Sequence, residues 1–292
     1  MLLGGVLSPV YWLLAYRQRV PGLEFRRQIA LLALHLLCRQ KKRIPLKLIY
    51  RMLLWPMDSV RYFEFGFAWE TLSDLPIQSY LDVSSPRLFP IVLASKKPEV
   101  RGELVNPDLA DLTSTIDLAK AVGLDRRCGF HTCLIGDAPF HRASFDVITS
   151  ISVVEHIPDD TRAIRKIWGF LKPGGRLLLT VPCAAEALDE YIDRNEYGLL
   201  EPTEGDFYFF QRYYDEKALA ERIFSVTGIP SRYAVYGEKL PGIYRNSERA
   251  KRSNPCYPIW REPYVMGQNY RHFESVRDLP GVGVIAMEFF KA

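Results

Sequence analysis

The sequence predicts an α/β protein built on a doubly wound, mostly parallel sheet. Residues 79–182 alternate short β-rich runs with helical stretches. One apolar run ends in Gly136-Asp137, a second opens at Phe145, and a third follows Leu171-Lys172-Pro173-Gly174-Gly175. Strands separated by helical crossovers pair in parallel. The chain has 292 residues, 48% hydrophobic and 13% aromatic; such a composition fills a large core and is the reverse of a disordered chain.

In chain order, Ser79–Val83 reads as the first strand, 100–105 as the second, 128–135 as the third and 145–149 as the fourth. Residues 161–171 form a helix with Ile164, Ile167, Trp168 and Leu171 at helical spacing, stopped by Pro173-Gly174. A fifth strand spans 176–181, a helix closed by Gly228 covers 216–227, and strands at 231–236 and 282–290 complete the sheet. Before the first strand, Phe63, Phe65, Phe67 and Trp69 alternate as a packed edge. Two insertions interrupt the pattern. Residues 183–214 end in Phe207-Tyr208-Phe209-Phe210-Gln211-Arg212-Tyr213-Tyr214, placed as a lid or substrate wall over the sheet mouth. Residues 237–273 are rich in Pro, Tyr and Arg, and excursions of this length are uncommon unless functional.

Charge divides the chain into a basic extension, 1–70, and a body, 71–292. Between residues 1 and 66 eleven Lys/Arg face Glu24, Asp58 and Glu64, a net of +8, so the overall +4 leaves −4 for the rest. Residues 1–16 are almost wholly apolar. A second apolar run, 29–38, lies between Arg26-Arg27 and Arg39-Gln40-Lys41-Lys42-Arg43, and a third segment, 46–55, mixes apolar and basic residues. Each falls short of the roughly 20 residues that span a bilayer, and the start lacks the pattern of a secretory signal. Two readings stand for 1–55: a peripheral anchor on an anionic membrane surface, or a helical extension that packs on the body or forms a homodimer. The five cysteines are scattered, with no Cys-x-x-Cys pair. They point to a reducing, cytoplasmic setting and no structural zinc. The basic excess sits in apolar segments, which argues against nucleic acid as a partner.

The turn after the first strand, Ser84-Ser85-Pro86, is where an open α/β sheet presents backbone N–H groups to a nucleotide-like ligand. Ser84 and Ser85 are small enough to keep part of that access, whereas Pro86 removes an N–H and fixes φ. Ser150 opens the mouth of the fourth strand. Beyond it, His156 has the pKa range of a general base, and Glu155 stands beside it; the alternative is that the pair orients the site or caps the next helix.

These residues resemble the class I S-adenosylmethionine (SAM) methyltransferases. Asp82 ends the first strand, Gly136-Asp137-Ala138 follows the third, Phe145-Asp146-Val147 opens the fourth, Glu155-His156-Ile157 starts the next helix, and Lys172-Pro173-Gly174-Gly175 precedes the fifth strand. The first motif departs from the family: Asp-x-Gly-x-Gly-x-Gly is replaced by Asp82-Val83-Ser84-Ser85-Pro86-Arg87-Leu88. The resemblance implies a seven-stranded sheet with its last strand antiparallel, and SAM as cofactor. It places Asp82, Ser84 and Ser85 at the first turn, Asn106 at the ribose position with Glu103 and Asp108 nearby, Asp137 at the adenine amino group and the Ala138 backbone at a ring nitrogen. It further implies methyl transfer from SAM; the aromatic insertions favour a small molecule, sugar or lipid headgroup that accepts at oxygen, with His156 as the candidate base, and the lack of a metal-ligand cluster argues against metal-assisted catalysis. A non-catalytic scaffold on the same fold is the alternative, motivated by the altered first turn.

Overall fold

The computed structural model describes residues 2–38, 45–196, 198–203 and 205–292. The basic run Arg39, Lys41, Lys42 and Arg43 lies outside the described residues.

Among the described residues, ten strands form two sheets: β1 (Ser79–Val83), β2 (Arg101–Val105), β3 (Cys128–His131), β4 (Phe145–Ile151), β5 (Leu171–Ala184), β6 (Leu188–Ile192), β7 (Tyr208–Tyr213), β8 (Arg232–Glu238), β9 (Tyr270–Phe273) and β10 (Val282–Phe290). The main sheet runs β3-β2-β1-β4-β5-β10-β8-β9. β3 to β5 pair in parallel, with Asp82 opposite Thr149, while β10 runs antiparallel between β5 and β8.

The sheet therefore has eight strands where seven were expected. β9 is the extra one, supplied by the 237–273 excursion, and it pairs antiparallel with the edge of β8. At four residues it is too short to stand out in a Tyr- and Arg-rich stretch, and pairing it covers an otherwise open edge. The third strand stops at His131 rather than 135, because Ile135–Asp137 turns as a 3-10 helix.

Neighbouring residues on β1 point to opposite faces, as a period of two requires. Tyr80 enters one hydrophobic core and Leu81 the other. The first core is roofed by α1 (Leu2–Arg17), α2 (Leu23–Cys38), α3 (Leu46–Leu54), α4 (Ser59–Leu72), α5 (Leu88–Lys96) and α6 (Leu109–Val122). The second lies under α7 (Asp160–Phe170) and α8 (216–227), a helix whose middle, Leu219–Phe224, winds as a π-helix.

The aromatics before β1 are helical, not an alternating edge. Phe63, Phe65, Phe67 and Trp69 all lie on α4 and all are buried, because α4 is enclosed by α2, β10 and a later helix rather than lying on one surface. That helix, α10 (Glu262–Asn269), follows α9 (Ile243–Ser253) in the long excursion.

The extension is built into the body. α2 buries Phe25, Ile29, Leu32, Ala33 and Leu36 along one face, and the Phe25 ring meets Phe65 at 5.1 Å and Phe89 at 5.3 Å. Arg26, one of the cations behind the surface-charge reading, is buried and, among the described residues, has no acidic partner. Its guanidinium donates to Met52 O at 2.8 Å and to Trp55 O at 2.8 and 3.1 Å, closing the C-terminal end of α3. Burial pulls its pKa down to about 10, and the orphan carbonyls of a helix end supply the compensating negative potential. Among the described residues, no helix is long and apolar enough to cross a membrane.

Candidate active site

The C-terminal ends of β1, β2 and β4 and the turns after them carry the first group of expected residues. Asp82 is buried and its carboxylate is fully engaged. Oδ1 accepts from Thr149 Oγ1 at 2.7 Å and Tyr80 Oη at 3.2 Å, and Oδ2 accepts from the Ser85 N–H at 3.1 Å. Burial pushes Asp82 up to about 6, against the pull of those hydrogen bonds. Ser84 adopts φ 51°, the left-handed region that a glycine enters without cost. Its N–H and its hydroxyl both donate to Val105 O, at 2.8 and 3.0 Å. Ser85 Oγ accepts from the Ile151 N–H at 3.1 Å. The serines thus knit the turn to β2 and β4, and the Ser84 hydroxyl gives its hydrogen to Val105 O.

Asn106 behaves as a turn residue. Its Oδ1 accepts from the Asp108 N–H at 2.9 Å and its Nδ2 donates to Asp111 Oδ2 at 3.0 Å, while Glu103 is held by His131 Nε2 at 2.7 Å. Asp137 is exposed after β3 and Ala138 beside it is buried. Ser150 is fully buried, and its Oγ has no hydrogen-bond partner.

Glu155 and His156 lie in a 3-10 turn after β4, on a neighbouring cleft of about 640 Å³ counted to its open mouth. One wall is a column of rings: Phe63 stacks on Tyr236 at 5.0 Å and 12°, and Tyr236 on Tyr270 at 6.2 Å and 14°. The opposite wall holds Glu155, His156, Gln211 and Tyr213. His156 Nδ1 lies 2.6 Å from Phe210 O. A carbonyl oxygen only accepts, so Nδ1 carries the proton and neutral His156 has its lone pair on Nε2. Burial holds its pKa below the usual range. Nε2 stands 3.9 Å from Glu155 Oε1. Burial pushes Glu155 up to about 8, and the nearby Glu64 carboxylate adds to that rise.

The insertion at 183–214 contributes the β6–β7 hairpin, with Gln211 and Tyr213 of β7 lining the cleft. Asp160 at the start of α7 anchors it. This fully buried carboxylate takes Arg212 at 2.6 Å, Tyr214 at 2.7 Å and Arg222 at 2.8 Å.

Four participants were not foreseen. Glu64 of α4, fully buried, accepts from Arg61 at 2.5 Å, from Thr180 Oγ1 at 2.7 Å and from Ser152 Oγ. The i,i+3 spacing of Arg61 and Glu64 was legible, but the 116-residue separation to Thr180 was not. Among the described residues no three His, Cys, Asp or Glu side chains gather as a metal site.

Residues 100–179, from the start of β2 into β5, match the family model described as a methyltransferase domain. This central segment of the chain is similar to methyltransferase domains. The match begins after the altered first turn. A 74-residue stretch is 35% identical to a ubiquinone biosynthesis O-methyltransferase of Xanthomonas euvesicatoria, covering 25% of this chain and 30% of that one. A 67-residue stretch is 31% identical to a chloroplastic tocopherol O-methyltransferase of Arabidopsis thaliana, covering 23% and 19%. The chain thus aligns with under a third of these curated relatives' length. Among solved structures, the MccD protein superposes with a TM-score of 0.54 at 10% identity, over 79% of this chain and 97% of that one. A geranyl diphosphate methyltransferase in complex with SAM gives 0.52 at 14% identity, over 79% and 85%. Both likenesses are likenesses of fold.

Proposed function

We propose that this protein transfers a methyl group from SAM to an oxygen of a small molecule seated in the aromatic cleft. The observation that carries this reading is the His156 Nδ1–Phe210 O contact, which leaves the unprotonated position on Nε2 of a residue that lines the cleft. When bound, SAM supplies a methyl carbon activated by its sulfonium charge. The residues present fit it: the buried, unpartnered Ser150 Oγ and the exposed Asp137 offer polar contacts, and Asp82 acts at one remove by holding the Ser84–Ser85 turn in shape. Methyl transfer is largely a matter of alignment. The cleft orients the acceptor hydroxyl, His156 Nε2 receives its proton, and Glu155, neutral below pH 8, donates a hydrogen bond without competing for that proton.

The scaffold reading rests on Pro86 and on the fully engaged Asp82. One experiment separates the two: calorimetric titration with S-adenosylhomocysteine (SAH), followed by SAM turnover with a panel of hydroxylated rings. Binding and SAH release support the enzyme; no binding at millimolar SAH leaves the scaffold.

A further inference from the structure

His156 takes its orientation from a strand of the second sheet. The Nδ1–Phe210 O contact joins residues 54 apart in the chain, and Phe210 lies on β7, which pairs with β6 in a separate two-stranded sheet. A two-stranded ribbon is marginally stable by itself. The Phe210 carbonyl therefore keeps its place only while β7 is held against the turn at 154–156.

Two attachments hold it. Just past β7, the Tyr214 backbone meets the end of β5, its N–H donating to Pro182 O at 3.0 Å and its carbonyl accepting from the Ala184 N–H at 3.1 Å. The other attachment is Arg212, which is 6% exposed. Its Nη1 donates to Asp160 Oδ2 at 2.6 Å, and its Nε and Nη2 donate to the two carboxylate oxygens of Asp189 at 2.8 and 3.0 Å. Asp189 stands opposite Arg212 in the β6–β7 register, and Asp160 opens α7 just after His156. One guanidinium thus fastens both strands of the hairpin to the segment that carries His156. The ion pair and the His156 contact join the same two short stretches, 156–160 and 210–212, and a planar fork fixes direction as well as distance.

Arg212 works from outside the cleft. Side chains alternate along a strand: Gln211 and Tyr213 line the cleft, while Arg212 between them bonds Asp160 and Asp189. Resting on the methyl-transfer reading, we propose that Arg212 is a positioning residue for His156: by tying β7 to the start of α7 it keeps the Phe210 carbonyl on Nδ1 and the proton of neutral His156 off Nε2. Once that carbonyl withdraws, the hydrogen bond that selects the Nδ1–H form is lost. Part of the His156 population then carries its proton on Nε2, where it cannot accept one from the acceptor hydroxyl.

The tautomer can be read without any substrate. The full chain with isotopically labelled histidine is followed by two-bond proton–nitrogen correlation at about pH 7.5, above the ordinary histidine range, and the His156 signals are assigned by their loss in His156→Gln. Wild type is expected to show a protonated Nδ1 and an unprotonated Nε2. Arg212→Gln should draw the two nitrogen shifts together as the tautomers exchange. That variant strands no buried charge, because Asp160 keeps Arg222 and Tyr214, and the Asp189 side chain, 36% exposed, reaches water. Arg222→Gln is the control: it takes a cation from the same carboxylate on the α8 side and should leave the His156 shifts at their wild-type values. Shifts unchanged in Arg212→Gln, or moved equally by Arg222→Gln, overturn the inference. If a thermal melt shows Arg212→Gln unfolded, Asp160→Asn weakens the same tie while Arg212 keeps Asp189, and its His156 shifts decide in the same way: convergence supports the inference and wild-type values overturn it. Failure of SAH to bind, with the tautomer responding as stated, removes the methyl-transfer reading instead and leaves the positioning role standing.

Discussion

Glu64 Oε1 accepts from Thr180 Oγ1 at 2.7 Å, tying a helix of the N-terminal extension to the fifth strand. The same carboxylate receives Arg61 and the hydroxyl of Ser152, whose φ is 50°. Removing one member of a buried pair strands the other, at about 3–5 kcal/mol. Glu64→Ala is therefore expected to lower unfolding stability by that amount in urea titration, and Thr180→Val by about 1–2 kcal/mol. A Glu64→Ala loss under 1 kcal/mol would mean that the contact is not maintained in solution.

Turnover should depend on two groups facing each other across 3.9 Å. His156 must be neutral to take a proton, and burial already holds its pKa below the usual range, so the acid limb of the pH–rate profile lies below pH 6.5. Glu155 loses its proton near pH 8, which sets the alkaline limb. His156→Gln should reduce kcat by about 100-fold or more with SAH affinity unchanged, and Glu155→Gln should abolish only the alkaline limb. A profile identical in wild type and Glu155→Gln refutes the assignment.

Glu155 also makes stability depend on pH. Its folded pKa, about 8, lies above the ordinary 4.5, so between those values the native state keeps a proton that the unfolded chain has lost. Stability then falls as pH rises from about 4.5 to about 8 and levels off beyond. Glu155→Gln removes this dependence. Its melting temperature relative to wild type should climb between pH 5 and pH 8, and a difference that stays constant would place Glu155 in a wetter setting.

Asp137 offers a test of the cofactor contact that folding does not confound. It is exposed after the third strand, and substitutions at such sites usually stay within about 0.5 kcal/mol. Asp137→Ala should leave the unliganded melting temperature alone, weaken SAH binding by about 10- to 100-fold, and shrink the SAH-induced rise in melting temperature accordingly. An unchanged SAH affinity removes Asp137 from the site.

Much of this architecture was legible because it rests on local pattern. The runs at 79–83 and 282–290 carry strand periodicity, and Leu171-Lys172-Pro173-Gly174-Gly175 marks where a helix must stop. Glu155 and His156 were legible from their place after a strand end. What escaped is non-local. Thr149 reads as an ordinary strand residue until β1 brings Asp82 opposite it, and Tyr270 lies hidden in an aromatic excursion until β9 pairs with β8. Arg26 misled in the other direction: a cation flanking an apolar run looks solvated, and only the fold reveals the carbonyls of Met52 and Trp55 around it.

The extension's outer surface carries the last expectation. α1 exposes Leu7, Val10 and Leu13 at spacing three, and α2 exposes Leu31, Leu34 and Leu37 at the same spacing, each 39–55% accessible. The inner face of α2 is committed to the core through Phe25, Ile29 and Leu36 and that of α1 through Ala15, so these outer side chains lie away from the core. Apolar stripes flanked by Arg17, Arg19 and Arg27 suit the interface of an anionic bilayer, where burial of apolar area and about 1 kcal/mol per nearby cation add together. The full chain should cosediment with liposomes containing phosphatidylglycerol, less so as salt rises, and not with purely zwitterionic ones. Leu13→Asp with Leu34→Asp should abolish that binding at an unchanged melting temperature. Cutting the chain before Pro56 is the wrong comparison, since it would strip Phe25 and Arg26 from the core and unfold the rest. If the intact chain ignores anionic liposomes at low salt and instead sediments as a dimer that the double substitution dissociates, the stripes are a homodimer face and the membrane reading falls.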